Sequence, residues 1–315
     1  MTNPTSPDRE KAQARAFERL TDGSVELSDD DIAALSDLDR DGCDRFNGTF
    51  LRLGPEERFA LLERLTQLQE TRPLLDYSII CLSALTDEDA AVRALAAAGL
   101  ADNEERESIA PLLTLAVDDE DEGVRSEAVV TLGAVALRAE FDQLRDADRT
   151  AVVDGLRAIA ENSAEERVVR AAALTSVAVI DEPWVRELIF DFFEADNDIL
   201  RLGALQAMGR TADSYWIPTL ENSMVVMDDD ERIAAAVAAG EIADENSLPA
   251  LGELLEDESI DVLVAVIEAI GEIGGPEAAE QLERVSTHPE GSIRAAVQDA
   301  REAAGFADEA LGLGA

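Results

Sequence analysis

The chain has 315 residues, enough for a substantial core in one large domain or two ordinary ones, and its 69 acidic against 26 basic residues give a formal net charge of -43. A surface this acidic repels polyphosphate and anionic lipid, which excludes nucleic acid and membrane as expected partners. Hydrophobic residues make up 46% but aromatics only 4%, a core of small aliphatic side chains that suits packed helices better than a sheet.

Residues 1–28 are polar and charged, without the apolar run of a signal peptide, and are expected to be a flexible tail. Residues 29–84 are expected to form a helical N-terminal capping region. Ser28-Asp29-Asp30-Asp31 is a capping start. Pro55-Glu56-Glu57-Arg58 opens an amphipathic helix to about Thr71, which Arg72-Pro73 breaks.

Residues 85–304 carry a repeat. Acid, then an apolar residue, then Arg, then small and apolar residues at helical spacing end at Arg93, Arg125, Arg170, Arg201, Arg232 and Arg294, with a degenerate copy at Leu263. The steps are 32, 45, 31, 31, 31 and 31 residues. Six residues after each anchor stand Gly99, Thr131, Ser176, Ala207, Ala238, Ala269 and Ala300. A column of small residues predicts a second backbone packed close against that face. Eight after the anchor, Gly133, Gly209, Gly240 and Gly271 read as helix terminators. A shorter helix fits before each anchored one, opening near Pro183, Tyr215, Leu248 and Pro276. The extra residues between Arg125 and Arg170, from Leu137 to Thr150, predict lengthened helices and a longer turn. An acid or capping residue one turn before each anchor (Asp89, Asp121, Glu166, Asn197, Asp228, Ser259, Glu290) can cap the helix, and the arginine can bridge to the next repeat. Residues 305–315 are expected to be a second loose tail.

The pattern Asp-x-x-x-Val-Arg-x-x-Ala-Ala-x-Ala-Leu-Gly, with its period near 31, resembles HEAT repeats of the short, phycobilisome-lyase-like type. The resemblance implies an all-α fold, an α-α superhelix of about seven helix pairs over residues 85–304 with the N-terminal helices as its cap. It says little about function, because the family includes scaffolds and adaptors as well as a few enzymes and chaperones.

Candidate chemistry is thin. Asp37-Leu38-Asp39-Arg40-Asp41-Gly42 matches the first half of an EF-hand loop, but the twelfth position is Gly48 in place of the bidentate glutamate. A turn between helices is the favoured reading, with Ca²⁺ binding the alternative. His288 is the only histidine and sits in the turn Ser286-Thr287-His288-Pro289, which excludes a multi-histidine metal site and the His-Glu di-iron centre of HEAT-repeat hydroxylases. Cys43 and Cys81 are expected to be reduced thiols in a cytoplasmic protein. No nucleotide-binding glycine motif is present. No metal, cofactor or catalytic residue is therefore assigned.

Lys11 is the only lysine, and the acids spread evenly along the chain. Two readings stay open. The acidity keeps the protein soluble in a salty cytoplasm, which the even spread favours, or it attracts a basic partner.

The resemblance places the anchored helices on the concave face. Positions just after the anchor and one and two turns later read Leu202, Gln206 and Arg210, then Ile233, Val237 and Glu241, then Val264, Glu268 and Glu272. Leu202, Ile233 and Val264 form a ridge less polar than an idle surface, unless these side chains pack between helices. Tyr215-Trp216 with Met224-Val225-Val226-Met227 is a second apolar stretch, read as core before surface. The expectation is a monomeric, non-enzymatic scaffold or adaptor for an unidentified protein partner. The alternative is a lyase-like or chaperone-like protein that handles a cofactor or a client.

Overall fold

In the computed structural model, residues 7–103, 106–141, 143–226 and 228–310 are described. They hold eighteen α-helices, three short 3-10 turns and no strand. The chain divides into two compact units, Met1–Ile159 and Ala160–Ala315.

In the first unit, α1 (Pro7–Thr21), α2 (Asp29–Ala33) and α3 (Arg40–Phe50) precede α4 (Pro55–Thr71). Two helix pairs follow, α5 (Ser78–Ala84) with α6 (Ala90–Ala98) and α7 (Ile109–Asp118) with α8 (Glu122–Glu140). Helices α4, α6 and α8 stack in that order. The division between units falls within α9 (Asp146–Glu161).

The second unit repeats one arrangement. Its anchored helices are α10 (Arg167–Val177), α12 (Asp198–Arg210), α14 (Asp229–Ile242), α16 (Ile260–Ile273) and α18 (Gly291–Ala310), and each stacks on the next. Between them lie α11 (Pro183–Phe193), α13 (Ile217–Ser223), α15 (Leu248–Leu254) and α17 (Gly275–Val285), each packed on the anchored helix that follows it.

Residues 1–28 are not a tail throughout. Helix α1 packs on α2 and α3, with Ala12, Ala16, Phe17 and Leu20 buried. Arg15 meets the buried Asp31 at 2.8 Å, and the Arg45 guanidinium lies 4.2 Å from the Phe17 ring centroid. The stripe is too narrow, and too crowded by charge, to lift the segment's polarity. At the other end α18 runs on past residue 304 to Ala310, and residues 311–315 lie outside the described residues.

The small-residue column does what its pattern predicts. Ala207, Ala238, Ala269 and Ala300 are buried where one anchored helix meets the next. The Thr131 hydroxyl donates to the Ala97 carbonyl at 3.1 Å. The glycines read as terminators lie inside helices instead. A Cβ built on Gly209 would stand 2.8 Å from the Cα of Ala238, and one on Gly240 the same distance from that of Ala269. Backbone contact between successive helices requires glycine there. Three residues after Gly209, Gly240 and Gly271 come Ala212, Ala243 and Gly274, at or just past the helix ends and all with positive φ.

Candidate functional site

The anchor arginines are structural, and one residue six positions upstream explains most of what they do. Arg93, Arg125, Arg201, Arg232 and Arg294 donate to the carbonyls of Asp87, Asp119, Ala195, Val226 and His288. Where that upstream residue is Asp, its carboxylate also receives an arginine from the preceding repeat. Arg93 meets Asp119 through two bonds of 2.7 and 2.8 Å, and Arg232 meets Asp257 at 2.9 and 3.3 Å. The same Asp oxygens accept the amides of Asp121 and Ser259, which shape the turn into the next helix. Arg201 finds Val226 where an Asp would stand and meets Glu231 at 3.3 Å instead. Arg170 donates to Ala160 and lies 5.0 Å from the Phe192 ring centroid. Burial pushes the Asp119 carboxyl up, but the Arg93 and Asp121 hydrogen bonds outweigh this and hold it below its ordinary value.

The same clamp occurs once more, outside the register of the repeat. Arg58, in α4, donates to Leu53 at 2.8 Å and faces both oxygens of Asp87 at 2.9 Å. Arg58 and Asp87 are buried, at 3% and 5% exposure. The motif Pro-Glu-Glu-Arg lacks the apolar residue before the arginine, which hid this copy. An Asp six before the next anchor was the available signal.

Capping follows expectation at four positions. Asp89, Asp121, Asn197 and Asp228 accept from amides in the first turn of their helices, while Glu166 and Ser259 hold the cap position without that bond.

The nine positions singled out after the anchors lie on one face of α12, α14 and α16. Leu202, Ile233 and Val264 are half-buried, so they both pack between helices and reach the surface. Gln206, Val237 and Glu268 are exposed, as are Arg210, Glu241 and Glu272. The acidic end is not simply solvated. Glu241 Oε2 lies 2.5 Å from where a Gly209 Cβ would stand, and Glu272 Oε2 lies 2.6 Å from the same point on Gly240. Both residues are exposed, yet a carboxylate oxygen of each lies against the neighbouring helix. Burial therefore pushes the Glu241 carboxyl up, against the pull of Arg210. Burial and the nearby Glu241 and Glu268 charges push Glu272 up.

The other candidates have local roles. Asp39 caps α3 by accepting from Gly42 N at 2.8 Å, Asp41 lies in the first turn, and Asp37 takes a positive φ. His288 Nδ1 accepts from Glu290 N at 3.2 Å within its turn. Cys43 and Cys81 are buried free thiols, and burial pushes Cys81 up to about 12, which suppresses its thiolate at neutral pH. Trp216 and Met224 are core, whereas Tyr215 and Val225 are 52% and 75% exposed. Met227 lies outside the described residues.

A family model described as HEAT repeats matches residues 80–163 and 217–301, more than half of the chain. No curated protein matches. Among solved structures, the chain is similar to Kap95p from its study with RanGDP, at 14% identity and a TM-score of 0.51, over 92% of this chain and 46% of that one. It is also similar to CpcE–CpcF of phycocyanin lyase from Nostoc, at 15% identity and a TM-score of 0.48, over 72% and 94% of the two chains. Human deoxyhypusine hydroxylase aligns at 15% identity over 95% and 97%, with a TM-score of 0.36. At such identities the first likeness is one of fold alone, and the other two carry no argument. No helix among the described residues is long and apolar enough to cross a membrane.

Proposed function

The chain belongs to the HEAT-repeat family, and from that premise we propose that it is a non-enzymatic scaffold or adaptor which holds a segment of another protein against α12, α14 and α16. One observation carries the reading. Three successive helices present the same three positions in register, grading from the half-buried Leu202, Ile233 and Val264 to the exposed Arg210, Glu241 and Glu272. An apolar ridge with a polar border suits a bound helix or extended strand, since the ridge supplies burial and the border orientation.

Affinity capture from native lysate at native salt tests the reading. The triple variant Leu202→Asp, Ile233→Asp, Val264→Asp is expected to lose the captured partner while its circular dichroism and unfolding cooperativity stay intact. Retention of the same partner by a folded triple variant would remove this face from consideration.

A further inference from the structure

A second surface lies apart from that face, along α15. Met224–Val226 after α13, the helix α15 and the turn from α15 to α16 line an open groove of about 770 Å³. A further lobe of about 520 Å³ opens between α15 and α17, and Glu253 and Glu256 line both. Each lobe has the size of a pocket that takes a side chain or a small ligand.

The apolar part of the groove is formed by Met224, Val225, Val226 and Leu254. Val225 is 75% exposed, although it is aliphatic and borders the buried Met224. The charges are unevenly spent. Arg232 is used internally, on the Val226 carbonyl, Asp229 and Asp257. Arg284 reaches Glu256 only at 3.8 Å. Glu253 and Glu258 are exposed in the wall of the groove, which leaves it a surplus of negative charge.

An independent feature points the same way. Gln281 lines the second lobe and is 7% exposed. Its Nε2 donates to the Leu248 carbonyl at 2.9 Å, which fixes the amide's orientation, and its buried Oε1 has no hydrogen-bond partner among the described residues. A buried acceptor left without a donor is costly, and it is packed beside Gly252, so a donor arriving in the lobe relieves it once the Gln281 amide turns outward.

We propose that this groove binds an extended peptide segment bearing arginine beside an aliphatic residue. The aliphatic side chain packs on Val225 and Leu254. A guanidinium between the two lobes takes Glu253 and Glu256, and its spare donors face the Gln281 side of the second lobe. Aliphatic wall, surplus carboxylate and orphan acceptor together match that chemistry, whereas an anionic or purely apolar ligand would answer only part of it.

The test uses fluorescence anisotropy of the full chain with a labelled Ala-Arg-Leu-Arg-Ala peptide at physiological salt. Binding is expected to weaken about tenfold in Glu253→Gln/Glu256→Gln, the scale of a lost charge-assisted pair, and also in Val225→Asp. The equally neutralised control Glu63→Gln/Glu70→Gln in α4 is expected to bind as the native chain does. The Leu202, Ile233 and Val264 triple variant is likewise expected to bind normally, which separates this site from the proposed scaffold face. An equal loss in the α4 control, or displacement by spermidine at matched charge, would overturn the proposal in favour of diffuse attraction to an acidic surface. So would undiminished binding to Glu253→Gln/Glu256→Gln, or equal binding of an Ala-Gln-Leu-Gln-Ala peptide.

Discussion

Ala212 and Ala243 follow α12 and α14 with φ of 50° and 54°, and Gly274 takes the corresponding place after α16 with φ of 68°. Left-handed backbone costs an L-residue about 1 kcal/mol that glycine does not incur. Ala243→Gly is therefore expected to raise stability by about 0.5 kcal/mol, the remainder being offset by glycine's greater freedom when unfolded. Urea unfolding checks this, as a higher midpoint at unchanged slope; a lower midpoint would show that the turn tolerates alanine without strain. A pH effect belongs to the same scale. Glu272 has a folded pKa raised above its ordinary 4.5, so its ionisation opposes folding. The favourable contribution is complete below the unfolded pKa and is lost as pH rises through the folded one. Glu272→Gln is expected to stabilise at pH 7 by about 0.5 kcal/mol after solvent screening, and to gain nothing below pH ~4. Parallel melts at the two pH values decide it. Neither residue was marked by the sequence as strained or displaced, because the cause of each lies in a neighbouring helix or in a backbone angle.

At the scale of elements, the repeat was legible because it is periodic, and its mechanism was not because it spans two periods. The anchor pattern and the small column locate every anchored helix from α6 to α18, at a step of 31 residues from α10 onward. The clamp between one repeat's arginine and the next repeat's Asp87, Asp119 or Asp257 is invisible within a single copy. It also explains why α4 stacks on α6 as a repeat does, although its sequence is out of register. The clamp makes a sharp prediction at its most buried member. Arg58→Met leaves Asp87, whose side chain is 1% exposed, without its bidentate partner and is expected to cost about 3–5 kcal/mol. Arg58→Met/Asp87→Leu removes both charges and is expected to recover most of that loss. Chemical denaturation of the single and double variants tests the pair, and a single variant near native stability would mean that the Asp89 amide and water satisfy Asp87 without the arginine. Helix spacing rests on a second device. Gly240→Ala sets a Cβ against the Ala269 backbone, and α14 and α16 must separate, at a cost of about 1–3 kcal/mol read in the same unfolding experiment.

For the whole molecule the governing quantity is the net charge of -43. The sequence left two reasons for it, a salty medium or a basic partner, and they differ in a measurable way. Self-repulsion of this size opposes the compact state, and salt at about 1 M shortens the screening length to about 3 Å. If the acids serve solubility in salt, the melting temperature rises steeply with KCl from about 0.05 to 2 M, where screening is nearly complete. An uncharged osmolyte stabilises by exclusion alone and gives the size of the effect that has nothing to do with charge. The variant Glu63→Gln, Glu70→Gln, Glu187→Gln, Asp191→Asn thins the charge at exposed positions of α4 and α11, none of which lines either proposed binding surface. It is expected to be more stable than the native chain at low salt and to show a shallower rise with KCl. The arginine clamps do not reverse this, because Arg58 with Asp87 and Arg93 with Asp119 are buried and only weakly screened. A melting temperature indifferent to KCl would leave self-repulsion without a role in stability. The acid would then be kept for what it attracts, and the surplus carboxylates beside Val225 and Leu254 are where such attraction has a shape to act on.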